Sequence, residues 1–302
     1  MRHPRLGALV AIVLWGLSFV ATKAALREIA PVTLITTRFA LGVGLLVSLL
    51  ALRRQPLVPP REDWPALALM GFVGVFVHQL LQAHALTLTT AVRTGWLIGL
   101  IPIWSAILAA VFLRERLGAV KVAGLGLGFA GAALVVTRGR LEAGLLALPG
   151  TRGDLLILAS TLNWAIYTTL GHGTLRRLGS LRATGGAMFL GWAMLVPLFV
   201  RAGAWREYGG LSATGWVAVL FLGLGCSGLA YWLWYGALER IETAKVAAFL
   251  YLEPLVTLAA AVAMLGEPVG LATIAGGLMV LAGVALVQRT APRRAAREGD
   301  AA

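Results

Sequence analysis

The side chains able to do chemistry in this chain are the ionisable and polar groups set inside long apolar runs. Glu253 is the sharpest case. It stands beside Pro254, about nine residues into its run, which is ~13 Å of helix rise. A charge surrounded by hydrocarbon costs several kcal/mol unless it is paired, protonated or hydrated. Glu253 is therefore either a site for a substrate amine or a transported proton, or the structural partner of a buried donor. Arg38, inside another apolar run, is the candidate for that buried ion pair. Both readings stand at this point.

Pro102 and Pro254 give the second signal. A proline inside a helix removes one backbone hydrogen bond and crowds the carbonyl four residues back, here Ile98 and Leu250. In lipid that carbonyl needs another partner or a wet cavity. Breaks at equivalent points of two halves mark the binding site in many carriers, and the alternative is an ordinary kink.

Polar residues at helical spacing give the third. Trp15, Ser18 and Thr22 share one face, His78 and Gln82 another with Gln79 beside them. Ser160, Asn163 and Tyr167 form a third stripe, and Ser227, Tyr231, Trp234 and Tyr235 a fourth. The expected cavity set is Trp15, Ser18, His78, Gln82, Pro102, Trp104, Asn163, Tyr167, Tyr231, Glu253 and Pro254. Against this stand plainer roles: interhelical hydrogen bonds for Asn163 and Gln82, an interfacial aromatic belt for Trp234 and Tyr235, and packing for His78. Arg93 and Lys245 head two helices and are expected to snorkel to the headgroups. Glu115 and Glu267 precede helices whose positive ends a carboxylate complements, a structural role.

Catalytic motifs are missing from the sequence: no HExxH, no phosphate loop, no cysteine–histidine metal spacing. The expectation is a protein that is not an enzyme and needs no cofactor or metal. Cys226 is the single cysteine, so no intrachain disulfide can form.

These residues need elements to hold them. The chain is 59% hydrophobic and 13% charged, roughly half the charge of an ordinary soluble domain. Its apolar residues form runs long enough to cross a bilayer as helices, near 6–26, 31–52, 64–86, 94–113, 118–137, 153–174, 183–201, 214–236, 244–265 and 270–288. Gly185, Gly186 and Pro197 make the seventh the weakest. The first run is too long for a signal-peptide core and is expected to remain as a span. A net charge of +13 could suggest nucleic acid, but its placement argues for a membrane. With the N-terminus inside, 17 Lys and Arg face the cytoplasm and seven face outward, with Lys23 and Arg38 inside spans. That bias predicts N-in and C-in. Arg138, Arg140 and Arg152 in one outer loop run against it.

Residues 64–136 return as 216–288. At an offset of 152, Trp64 meets Trp216, Pro102 meets Pro254, Glu115 meets Glu267, Gly124 meets Gly276 and Gly131 meets Gly283. Earlier in each half the offset is 149, where Trp15 meets Trp164. Five spans per half is an odd number, so the second half must enter the membrane inverted, an arrangement common in secondary transporters. The expected fold class is an all-α polytopic membrane protein of ten transmembrane helices in two inverted five-helix repeats. The expected domains are 1–138, a linker at 139–151, 152–289, and a basic cytoplasmic tail at 290–302. The Gly95/Gly99 and Gly124/Gly128 spacings fit close helix packing, within one monomer or in a homodimer.

The first half reads LWGLSFVATKAALREIAPVTLITTRF and IPIWSAILAAVFLRERLGAVKVAGLGLGFAGAALV; the second reads NWAIYTTL and YLEPLVTLAAAVAMLGEPVGLATIAGGLMVLAGVALV. Over nearly its whole length the chain resembles the EamA-type branch of the drug/metabolite transporter superfamily. The resemblance implies ten helices in two inverted halves. It also implies a carrier, most often an exporter of amino acids or other small metabolites, in a bacterial inner membrane. His172 and Ala187 stand where Lys23 and Arg38 would recur, so roles of that Lys and Arg are not mirrored. The leading expectation is export of a small amphipathic metabolite by alternating access around a central cavity, with substrate and lipid bilayer as partners. Proton-coupled efflux of hydrophobic cations is the alternative, and a membrane scaffold without transport is the alternative of another class.

Overall fold

A computed structural model describes residues 3–112, 118–140, 150–238, 240, 246 and 248–289. Glu115, Lys245, most of the inter-half linker and the basic tail lie outside the described residues. Among the described residues there is no strand, and ten long helices follow one another. They are α1 Pro4–Ala25, α2 Pro31–Leu52, α3 Arg61–Leu88, α4 Ala91–Phe112, α5 Ala119–Thr137, α6 Thr151–Leu178, α7 Ser180–Arg201, α8 Ala213–Ala237, α9 Phe249–Leu265 and α10 Leu271–Gln288. Eight of them are long and apolar enough to cross a membrane. The other two are α6, which carries Arg152, Asp154, Arg176 and Arg177, and α9, which is shorter. The helix over Ser180–Arg201 is continuous despite its glycines and Pro197.

Matching irregularities recur in the two halves. α3 passes through a π-helical stretch at Phe72–Val77 and α8 through one at Phe221–Leu229. α4 is interrupted after Ile98 and resumes at Ile101. α9 runs as a 3-10 turn from Ala248 to Leu252 and becomes α-helical at Glu253. Both prolines thus occupy the second residue of a new helical segment, where the missing N–H costs nothing and the fixed φ suits the helix start. They sit at breaks rather than inside an unbroken helix. Such breaks are found at the functional sites of membrane carriers.

The most extensive helix–helix seam joins α5 to α10. A Cβ placed on Gly131 would lie 2.5 Å from the Gly276 carbonyl oxygen, and one on Gly283 would lie 2.6 Å from the Gly124 oxygen. Only glycine permits this approach, which maximises dispersion contacts where no hydrophobic force drives helices together. The glycine spacing of α5 therefore serves packing within the chain.

Charged contacts gather at one end of the bundle. Lys23 donates to the Thr89 carbonyl and stands 3.8 Å from Glu267. Glu267 accepts the backbone N–H groups of Ala91 and Val92 at 2.9 Å each. It therefore caps α4 of the first half rather than α10, which follows it in sequence. Arg93 is buried, not snorkelling. It pairs with Asp154 at the start of α6 and donates to the Val136 carbonyl at 3.0 Å. Nearby, the Glu28 carboxylate takes hydrogen bonds from the Ser212 N–H and hydroxyl, which hold it below the usual carboxylate range. At the opposite end Arg177 pairs with Asp63.

Candidate functional site

The breaks in α4 and α9 border a central cavity of about 600 Å³, part of it open to bulk. Polar groups from five helices line it: Trp15 and Ser18 of α1, Arg38 of α2, His78, Gln79 and Gln82 of α3, Tyr231 of α8 and Glu253 of α9. Trp164 of α6 completes the aromatic wall, 4.8 Å from the His78 ring. Trp15 and Trp164 are the two residues related by the early repeat, so that internal match held the signal for a wall residue missing from the expected set.

Several of these polar groups are held by hydrogen bonds. The Trp15 indole donates to the Cys226 carbonyl at 3.2 Å and packs edge-on to Tyr231, centroids 5.4 Å apart. The Ser18 hydroxyl donates to the Trp15 carbonyl at 2.6 Å. His78 Nδ1 faces the Ser160 carbonyl at 3.1 Å. A carbonyl only accepts, so Nδ1 carries the proton and Nε2 is left as an acceptor. The Gln82 amide nitrogen approaches that Nε2 at 3.5 Å.

Arg38 is 6% exposed, and its Nε donates to the Ser227 hydroxyl at 3.0 Å. Glu253 is 8% exposed, and among the described residues its carboxylate has neither a hydrogen bond nor an ion pair. The two side chains line the same cavity but do not form the ion pair that the sequence suggested. The reason is positional: the guanidinium is turned onto Ser227 of α8, while Glu253 opens the first turn of the new segment of α9. There the positive helix end favours its negative charge.

Five expected members do not line this cavity: Trp104, Asn163, Tyr167, Pro102 and Pro254. Trp104 donates from Nε1 to the Thr161 hydroxyl at 3.0 Å and packs edge-on to Phe129. Asn163 donates to the Val73 carbonyl at 2.7 Å, inside the π-helical stretch of α3, which leaves carbonyls seeking partners. Tyr167 is buried against Trp164 and fills the space left by Gly74. Pro102 and Pro254 border a smaller neighbouring cavity, which Glu253 also lines. No group of metal ligands occurs among the described residues.

A bundle of apolar helices around a polar, charged cavity, with paired helix breaks at its wall, belongs to the class of membrane carriers. The family follows from comparison. The chain belongs to the EamA-like transporter family, whose model matches twice, over residues 5–137 and 151–289. A protein of Archaeoglobus fulgidus named an uncharacterized transporter is 32% identical, over 93% of this chain and 96% of its own length. A protein of Streptantibioticus cattleyicolor named a probable terminal-alkyne amino-acid exporter is 28% identical, over 93% and 91%. A solved crystal structure shares the fold, with a TM-score of 0.66 at 21% identity and coverage of 95% and 99%.

Proposed function

We propose that this transporter is a secondary exporter of small zwitterionic metabolites such as amino acids. One observation carries the reading: Arg38 and Glu253 present opposite charges to one cavity, and neither is spent on an ion pair among the described residues. A buried charge without a partner is costly, and a ligand bearing both an ammonium and a carboxylate removes both penalties at once. Arg suits the carboxylate because its planar fork can bond both oxygens. His78, Gln82 and Ser18 add polar contacts along the same wall. The name of the Streptantibioticus cattleyicolor relative supports both the substrate class and the direction.

In this reading ten helices span the bilayer as two inverted halves, with both termini in the cytoplasm. Rocking of the halves about the broken helices exposes the cavity to each side in turn. The paired contacts of Lys23, Glu267, Arg93 and Asp154 then lie at the outer end.

The test is flux into liposomes loaded with amino acids, with wild type, Arg38→Met and Glu253→Gln. Both variants should lose at least tenfold in zwitterion flux. A hydrophobic-cation carrier would tolerate Arg38→Met and lose only with Glu253→Gln. Unaltered zwitterion flux in both variants refutes the proposal, and a protein that moves nothing returns the scaffold reading. For orientation, Ala295→Cys in a Cys226→Ser background should be protected from membrane-impermeant thiol reagents in intact cells.

A further inference from the structure

Beside the central cavity lies a smaller one, of about 380 Å³ including the part open to the outside, in the gap between α4, α9 and α10. Gly99, Pro102, Pro254, Leu281 and Val284 line it. Four residues, Ile98, Ile101, Leu250 and Glu253, line both cavities. The two spaces therefore adjoin, and Glu253 stands at their common boundary. Ile98 and Leu250 are also the residues four before the two prolines, so the helix breaks form this boundary. Apart from Glu253, side-chain polarity in the smaller cavity is limited to the Tyr251 hydroxyl and Gln288. The Tyr251 hydroxyl donates to the Gln288 side-chain oxygen at 2.7 Å.

An apolar recess that begins at a carboxylate has one use in a carrier of zwitterions. We propose that this recess is the side-chain pocket of the transport site. It takes an unbranched aliphatic or small aryl substituent on a molecule whose ammonium rests at Glu253 and whose carboxylate reaches Arg38. The inference rests on the zwitterion reading and adds a rule of selectivity to it. Polar side chains are disfavoured because the lining is mostly apolar, and a polar group left unpaired in such a place is strongly penalised. Each methylene that enters should tighten binding roughly fourfold, the equivalent of about 0.8 kcal/mol of apolar burial.

The test is equilibrium binding to the full-length protein in detergent and in nanodiscs, followed by tryptophan fluorescence. The probes are glycine, alanine, 2-aminobutyrate, norvaline and norleucine, with the matching n-alkylammonium ions. Affinity should rise along the amino-acid series, to roughly 50-fold between alanine and norleucine. Val284→Phe narrows the recess and should cut the norleucine-to-alanine ratio at least tenfold. Leu281→Phe narrows it from the neighbouring turn and serves where Val284→Phe fails to give monodisperse protein. A flat wild-type series with measurable glycine binding overturns the pocket and leaves the zwitterion reading standing. So does a ratio unchanged in both variants. A series that is flat in nanodiscs but steep in detergent also overturns it, and assigns the recess to a lipid chain. If no amino acid binds, while alkylammonium ions show a chain-length dependence that both variants abolish, the zwitterion reading fails and the recess belongs to a carrier of cations.

Discussion

Removing one member of the Arg93–Asp154 pair should be among the most damaging single changes in the protein, and removing both should be much milder. Asp154 is fully buried and Arg93 is 4% exposed. Asp154 also accepts from the Thr89 hydroxyl, and Arg93 also donates to the Val136 carbonyl. Asp154→Asn therefore leaves a guanidinium buried without its counter-charge, at a cost of about 3–5 kcal/mol. That is a large share of a typical total stability of about 5–15 kcal/mol. In the double variant Arg93→Met, Asp154→Leu no charge is stranded. Apolar replacements of a buried pair are often neutral, so the double variant should recover most of the loss.

The assay is thermal unfolding of purified protein in one detergent, scored by loss of monodispersity and of near-UV circular dichroism. The order expected is wild type and double variant close together, with both single variants well below them. A double variant as unstable as the two single losses added would show that the two residues act separately, and the pairing argument would fail. Near-wild-type stability in Asp154→Asn would sink it outright.

Other expectations test other parts of the fold. Gly283→Leu at the α5–α10 seam should cost at least 1–3 kcal/mol by overpacking, because even its Cβ would meet the Gly124 oxygen at 2.6 Å; native-like stability of this variant would contradict the seam. Glu267→Ala removes the cap on α4 and the partner of Lys23. It should lower stability by about 0.5–2 kcal/mol and raise hydrogen exchange at Ala91 and Val92; unchanged exchange there would remove the cap. The Glu28–Ser212 clip should hold above the carboxylate range and loosen as pH falls through the lowered titration of Glu28. Amide exchange at Ser212 reports this, and a pH-independent rate would count against it; Glu28→Gln should flatten the response.

Much of this was legible in the chain, and what was hidden has a physical pattern. The apolar runs fixed the helices because every backbone group in lipid must be bonded within its own segment. The two prolines marked the breaks because their geometry is local: a missing N–H disrupts the same helix wherever its neighbours lie. Pairings across the fold were not readable. Glu267 stands just before α10 in sequence, yet it caps α4. In the sequence Asp154 is a lone acid at a helix start, and only the fold sets Arg93 against it.

The polar stripes divided for a related reason. Helical spacing says which residues share a face, but not whether that face meets a cavity or a neighbouring backbone. Trp15 and Ser18 meet the cavity. Asn163 meets the irregular backbone of α3, whose π-helical stretch was itself invisible in the sequence. The charges then sort by their company. At one end of the bundle Lys23, Arg93, Asp154 and Glu267 all have counter-charges, and a charge already answered within the protein has less to offer a ligand. At the centre Arg38 and Glu253 line a shared cavity and, among the described residues, have no counter-charge of their own. Keeping two such charges costs stability that a better-paired sequence would retain, and that cost is the physical reason to place substrate recognition between them.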